Sequence, residues 1–455
     1  MKKYLLKLFI FLWLFLFISA CSADKKYDKK KAINLLVNNS SVSFSGEKVL
    51  LPQSINKESF TYSQANGFKH LTKKYHLKTQ SFFGLMPKQF YEFSKQIIYQ
   101  QFYLQKSDQT FIFEPQIIAN NLFLITASGK LQKYQINKNN SNLSFQLLWQ
   151  KAVLNNDIIN NQYRLLKLSS CQEMLIVIDG SNKIKAFSAD SGNLIWQKEL
   201  SAILSSAPVC SDEAVFVSSN NNKTFALQKN NGNINWVHHG LIANAAIFNS
   251  PNLVLWQDNL LVGYASGDIY LLNQKTGDSL WQNNTNLYQN TFHQDYLNDI
   301  NANFVIIDNV AFAIGNGGLL KSLNLNNGSL LWQITESGLA NFWLAFDNLF
   351  FINNQNKLTA LNKDTGKIKW QVQLPYLKNA KKLASKIIYN GLVLAGEKIL
   401  ITSQNGDLIM VSAYTGEIET TINLGAKIFH QPLVLDDKIY LHLLHKFTSQ
   451  LIVLQ

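Results

Sequence analysis

The chain of 455 residues carries 42 lysines and arginines against 29 aspartates and glutamates, a formal net charge of +13 at pH 7. A basic excess of that size raises the question of nucleic acid, but Arg164 is the one arginine, so the bidentate guanidinium contacts that read guanine or clamp phosphate are almost absent. Nucleic-acid recognition is excluded on that ground, and the diffuse lysine charge suits anionic lipid heads at a membrane surface better than a duplex.

In chain order, the first predicted element is a leader. Lys2, Lys3 and Lys7 precede an unbroken apolar run from Leu8 to Ile18, followed by Ser19, Ala20 and Cys21. Crossing a bilayer core takes about 20 apolar residues and the stretch from Leu8 to Ala20 has 13, so it reads as a signal peptide and not as a span. Ile18-Ser19-Ala20-Cys21 resembles a lipobox, which makes residues 1–20 the predicted leader and Cys21 the predicted acylated N-terminus. Several acyl chains on one residue anchor firmly, each buried methylene adding roughly 0.8 kcal/mol. Removal of the leader takes away three lysines and no acids, so +13 becomes +10. Ser22 stands where an aspartate would, in the enterobacterial pattern, retain a lipoprotein at the inner membrane, and this favours the periplasmic face of the outer membrane. The run from Lys25 to Lys31 reads as a solvated linker, with an anionic lipid surface as its alternative partner. Residues 21–77 fit no repeat and are predicted as lipidated N-terminus and linker, leaving 78–455 as one folded domain.

Within that domain one unit recurs seven times. Its clearest copies are Ala186 to Trp196 and Ala360 to Trp370, and further copies end at Trp149, Trp236, Trp281 and Trp332. Five copies place a glycine four residues before the tryptophan: Gly192, Gly232, Gly277, Gly328 and Gly366. The seventh keeps Gly416 but ends in Thr420, and the first replaces the tight turn with the longer stretch from Asn137 to Ser144. Leu260 to Tyr264 reads as a strand, Ser266-Gly267 as a tight turn and Asp268 to Leu272 as the next strand. The Lys275-Thr276-Gly277 turn then puts glycine where positive φ is needed, and Ser279-Leu280-Trp281 returns as a further strand. A four-stranded unit of this kind has two apolar faces and must be covered by stacked neighbours. The tryptophan is predicted to fill the space between adjacent sheets, with its indole N–H on a backbone acceptor.

From Trp149 to Thr420 the six intervals average about 45 residues, the length of a propeller blade. The last 35 residues suffice for three strands of an eighth blade, and Ile97 to Leu104 has the composition to supply the fourth. The predicted fold is therefore all-β, an eight-bladed β-propeller of four-stranded antiparallel blades closed by its own N-terminal strand.

Other constellations give no catalytic site. Cys171 and Cys210 fall at similar places in successive repeats; an envelope compartment permits a bridge, but Cα atoms beyond the ~7 Å limit and two buried thiols are expected. His442 and His445 face opposite sides of a strand, as do His238 and His239, so neither pair shares a metal. Asp212-Glu213 and Asp436-Asp437 read as solvated turn residues. The chain has no phosphate-binding glycine loop, nucleophile elbow or Cys-x-x-Cys, so neither cofactor nor metal is expected.

The pattern from Ala360 to Trp370 resembles the repeat of quinoprotein-type propellers. Joined to a lipobox and eight predicted blades, it is similar to the BamB family of outer-membrane assembly lipoproteins. That resemblance implies a non-catalytic scaffold that binds the POTRA domains of BamA and other Bam-complex members and helps feed unfolded outer-membrane proteins to them. The family's Asp-x-Asp motif, in the loop after the unit ending at Trp281, matches Asp299-Ile300-Asn301 in part, since Asn301 replaces the second carboxylate. The resemblance thus nominates Asp299 and Asn301. The long polar connection in which they lie is expected to be exposed, with Tyr288, Phe292 and Tyr296 as aromatic anchors. The rival readings are a quinoprotein dehydrogenase, whose family resemblance would bring pyrroloquinoline quinone, calcium and an adjacent-cysteine disulfide absent here, and a peptide- or polysaccharide-binding propeller.

Overall fold

The computed structural model describes residues 42–44, 49, 99–103, 116–126, 129–139, 142–153, 166–243, 253–287, 298–300, 302–338, 342–376, 386–428, 431–435, 438–444 and 449–454. The leader, Cys21 and most of the predicted linker lie outside these residues. Among those described, 33 strands form eight antiparallel sheets, seven of four strands and one of five. Each sheet is a propeller blade. Blades 1 to 7 occupy residues 116–152, 166–199, 209–239, 253–284, 305–335, 343–373 and 389–423, with the strands of each in sequence order across the sheet. First strands of neighbouring blades touch, which places them innermost and the fourth strands at the rim.

Blade 8 closes as the sequence predicts. Residues 433–454 supply three strands, and Tyr99–Tyr103 pairs with Ser449–Leu454 as the fourth, from Tyr99 opposite Leu454 to Tyr103 opposite Gln450. A strand preceding blade 1 thereby completes the blade that ends the chain, and the sheet edge between the two is removed.

The tryptophans lie between blades. The indole N–H groups of Trp149, Trp196, Trp236, Trp281, Trp332 and Trp370 donate to the backbone carbonyls of Asp190, Lys229, Gln274, Leu325, Lys363 and Ala413 at 2.6–3.1 Å, each in the following blade. The turn glycines receive the rings. At Gly192, Gly232, Gly277, Gly328, Gly366 and Gly416 an added Cβ would stand 2.5–2.9 Å from the preceding blade's tryptophan. Glycine is therefore required twice over, for a φ between +70° and +79° and for the approach of an aromatic face.

Three expectations are corrected. Asn137 to Ser144 is not a loop: strands Lys130–Asn139 and Asn142–Ala152 continue as a long hairpin, with Asn137 opposite Ser144 and Asn139 opposite Asn142. Cys171 and Cys210 are bridged, with Cα atoms 5.7 Å apart. Each ends the innermost strand of its blade, and innermost strands converge towards the axis, so equivalent positions of blades 2 and 3 come within bridging reach. Finally, the predicted linker contains a strand. Val42–Phe44 adds to the outer edge of blade 6, Val42 opposite Val372 and Phe44 opposite Trp370, and Val49 is buried in the core shared by blades 6 to 8.

The rim of blade 6 also differs from that of other blades. In blades 1, 2, 4 and 5 the residue before the tryptophan, Leu148, Ile195, Leu280 or Leu331, is 44–54% exposed. Its counterpart Lys369 is 1% exposed, and its ammonium donates to Asp347 Oδ2 and Asn348 Oδ1, each at 2.8 Å. Such a buried cation is tolerable only with paired and hydrogen-bonded partners.

Candidate partner-binding face

Antiparallel blades alternate direction, so connections from the outer strand of one blade to the inner strand of the next emerge at the same end as the turns between second and third strands. At that end the connections after blades 3 and 4 carry the features of a binding surface. Gly240 leaves the last strand of blade 3, Ile234–His239, and is followed by Leu241 and Ile242, which are 56% and 92% exposed. Apolar side chains so exposed on a loop of a large propeller are unusual among the described residues and mark a surface that gains by being covered.

The connection after blade 4 holds the predicted motif. Its near stem is threaded onto blade 5: Asn286 bridges to Gly318, and the N–H of Leu287 donates to the Gly317 carbonyl at 2.9 Å. Its far stem, 298–300, is wedged between the turns of blades 4 and 5. The Asp299 carbonyl accepts the N–H of Asn316 at 2.9 Å, and the N–H of Ile300 donates to the Tyr264 carbonyl at 3.3 Å. The expected exposure is corrected here: Asp299 is 1% exposed, because the returning stem packs against Gly263 and Gly315, whose missing side chains make room for Ile300. Asn301 and Tyr296, with Tyr288 and Phe292, lie outside the described residues.

Beneath both connections runs a polar network. Ser218 Oγ lies 2.7 Å from Thr224 Oγ1, which lies 2.8 Å from the Tyr264 hydroxyl, and that hydroxyl is 2.8 Å from His238 Nδ1. Tyr264 stacks on His238 and meets Tyr270 edge-on. Burial pushes the Tyr264 phenol well above its ordinary range, the bond from Thr224 opposing and Tyr270 adding to the effect. Burial, and secondarily the neighbouring His239, lowers the pKa of His238, so the network is built around a neutral imidazole. Asp268, under the same turn, is raised by burial against the bonds from Ser266 and Gln282.

The bridged cysteines are 39 apart in sequence and join two blades, and among the described residues no group of three His, Cys, Asp or Glu could hold a metal ion. Asp212 and Glu213 are exposed in a turn, Asp212 accepting a hydrogen bond from Gln172, while Asp436 and Asp437 lie outside the described residues. His442 is buried at 8% exposure, and His445 also lies outside.

Sequence reasoning passed over Leu241, Ile242, Asn222 and Tyr264. The first two had a signal, an apolar pair following Gly240 in a connection; Asn222 looks like an ordinary turn residue and Tyr264 like the end of a strand until adjacent blades are placed.

A family model described as outer membrane protein assembly factor BamB matches residues 146–372, from the last strand of blade 1 through blade 6. Among curated relatives, an uncharacterized protein of Rickettsia prowazekii (strain Madrid E) is 29% identical over 280 residues, 60% of this chain and 65% of that protein. The outer membrane protein assembly factor BamB of Yersinia pestis is 27% identical over 164 residues, 34% of this chain and 40% of that protein. The chain thus aligns with less than two thirds of the length of either relative. The solved structure of BamB from Moraxella catarrhalis superposes with a TM-score of 0.63, covering 79% of this chain and 99% of that one at 17% identity, a likeness of fold. With its repeat and its eight blades, this chain is a β-propeller that is similar to BamB across residues 146–372 and shares the fold of BamB.

Proposed function

We propose that the chain is a non-catalytic scaffold of outer-membrane β-barrel assembly, anchored through lipid on Cys21 at the periplasmic face of the outer membrane. On this reading it binds the POTRA domains of BamA, alongside other Bam-complex members, and holds unfolded outer-membrane proteins near them. The observation that carries it is the pairing, on one end of the propeller, of the exposed Leu241 and Ile242 with the rigidly stemmed loop around Asp299. An apolar anchor beside a polar loop is the composition of a protein-binding surface, a central desolvated contact ringed by hydrogen-bonding groups. The cross-blade disulfide supports an oxidising compartment such as the periplasm.

Asp299 and Asn301 remain the acidic and polar contributions proposed for this face, with Tyr296 as its aromatic neighbour. Burial of the Asp299 side chain assigns it to shaping the loop as much as to touching a partner. The decisive substitution is therefore Ile242→Asp. The side chain is 92% exposed, so the melting temperature should not move, while affinity for a BamA POTRA array, measured with the full chain in detergent, should fall. A loss of about tenfold or more is expected for a desolvated anchor, roughly 1.4 kcal/mol. Unchanged affinity removes this face from the interaction.

A further inference from the structure

Two connections act as one surface only if their separation is fixed, and two residues at the boundary of blades 3 and 4 together link them. Asn222, 1% exposed, immediately precedes the third strand of blade 3 with φ +60°. Its backbone carbonyl accepts the N–H of Gly240 at 2.7 Å, and its side-chain amide donates to the Leu241 carbonyl at 2.6 Å. Its side-chain oxygen accepts the N–H of Ala265, in the turn of blade 4, at 3.0 Å. Tyr264 is the next residue back. Its ring lies under Gly240, where an added Cβ would come within 2.5 Å of it, and its carbonyl accepts the N–H of Ile300. A continuous path therefore runs from Leu241 through Asn222, Ala265 and Tyr264 to Ile300, from the apolar connection to the polar one.

We infer that Asn222 and Tyr264 are positioning residues that lock the connections after blades 3 and 4 into a single docking surface. The inference rests on the partner-binding reading of that face. The repeat itself separates what the fold needs from what is additional. Gly129, Gly267 and Gly406 hold the same turn position in blades 1, 4 and 7 at φ +72°, +85° and +86°. Their carbonyls accept the N–H groups of Val153, Thr285 and Leu424 at 2.8–2.9 Å, the bond that the Asn222 carbonyl makes to Gly240. In blades 1, 4 and 7 positive φ and a carbonyl thus close the blade at this turn, and glycine supplies both. The side chain of Asn222 is not required for closure, and it is used on the connection of its own blade and on the turn of the next. Asn182 and Asn356 each make one bond to a following connection, to the carbonyls of Leu200 and Ile387; Asn222 joins two blades.

Asn222→Gly isolates the effect, since glycine is native to this position in four other blades, Gly318 of blade 5 included. In the full chain in detergent, amide exchange at residues 240–243 and at Ala265 should accelerate about tenfold or more, because local opening no longer breaks the side-chain bonds. The unfolding midpoint should match that of the control Asn356→Gly in blade 6. Affinity for a BamA POTRA array should fall about fivefold in Asn222→Gly and stay unchanged in the control, as expected when preorganisation is lost without loss of contacts. Tyr264→Phe keeps the ring under Gly240 and should retain most of the affinity. Unaltered exchange in Asn222→Gly, or equal loss of affinity in both glycine variants, overturns the inference. If the unsubstituted chain shows no affinity for POTRA domains while Asn222→Gly still accelerates exchange, the partner reading fails and the positioning role stands.

Discussion

At Gly277 the backbone stands at φ +79°, and a Cβ built there would lie 2.6 Å from the Trp236 ring. An L-residue in that conformation costs about 1–2 kcal/mol, and overpacking a fixed aromatic contact adds about 1–3 kcal/mol. Gly277→Ala should therefore destabilise the propeller by about 2–5 kcal/mol in urea or guanidinium unfolding, far beyond the ordinary effect of a surface-turn substitution. A change below about 0.5 kcal/mol means that the ring yields without cost and that the glycine serves the turn alone. The same local reasoning explains why Asp299 is a poor first target for testing the interface. Its side chain is buried and its carbonyl accepts from Asn316, so its removal would disturb folding together with the proposed recognition, whereas the exposed Ile242 tests the proposed recognition alone.

Blades as elements were largely readable before any coordinates. The glycine-to-tryptophan spacing encodes the hairpin of the third and fourth strands, and the indole in the gap follows from its size and its single donor. The ring's acceptance by the next blade's glycine was not readable, because it depends on which blades are neighbours. The same limit explains Cys171 and Cys210. Their places in the repeat are visible in sequence, but the convergence of innermost strands that brings their Cα atoms to 5.7 Å is a property of the assembled ring. The loop face divides likewise: Asp299 could be nominated from the resemblance, while its burial, set by Gly263 and Gly315, was not readable. For the disulfide, a separation of 39 residues corresponds to about 4 kcal/mol of chain-entropy stabilisation in the simplest treatment. The double variant Cys171→Ser, Cys210→Ser should accordingly lower the unfolding midpoint, and reductant should lower that of the unsubstituted chain to nearly the same value. Indifference of the unsubstituted chain to reductant would show that the two sulfurs are not joined in solution.

For the molecule as a whole, the N-terminal region acts at two blades, and the two roles differ in kind. Val42–Phe44 covers an edge that is already part of a complete four-stranded blade, whereas Tyr99–Tyr103 supplies the fourth strand that blade 8 otherwise lacks. Removing a cover exposes the edge of Ile368–Gln373, whose own four-stranded blade stays complete. Removing the closing strand instead strips the Ser449–Leu454 strand of one partner along its length and opens the ring between blades 8 and 1. Unpaired edges of that sort are also templates for pairing between chains. A chain that begins at residue 78 should therefore remain folded and monomeric with a modestly lower melting temperature than one that begins at residue 22. A chain that begins at residue 105 should melt lower still, by at least about 5 °C relative to the 78 start, the shift expected for a loss of a few kcal/mol in a domain of this size. It should also self-associate in light scattering as its concentration rises. Coincident melting curves for the 78 and 105 starts would mean that the ring holds without its closing strand, and that the pairing of Tyr99–Tyr103 contributes nothing to the stability of blade 8.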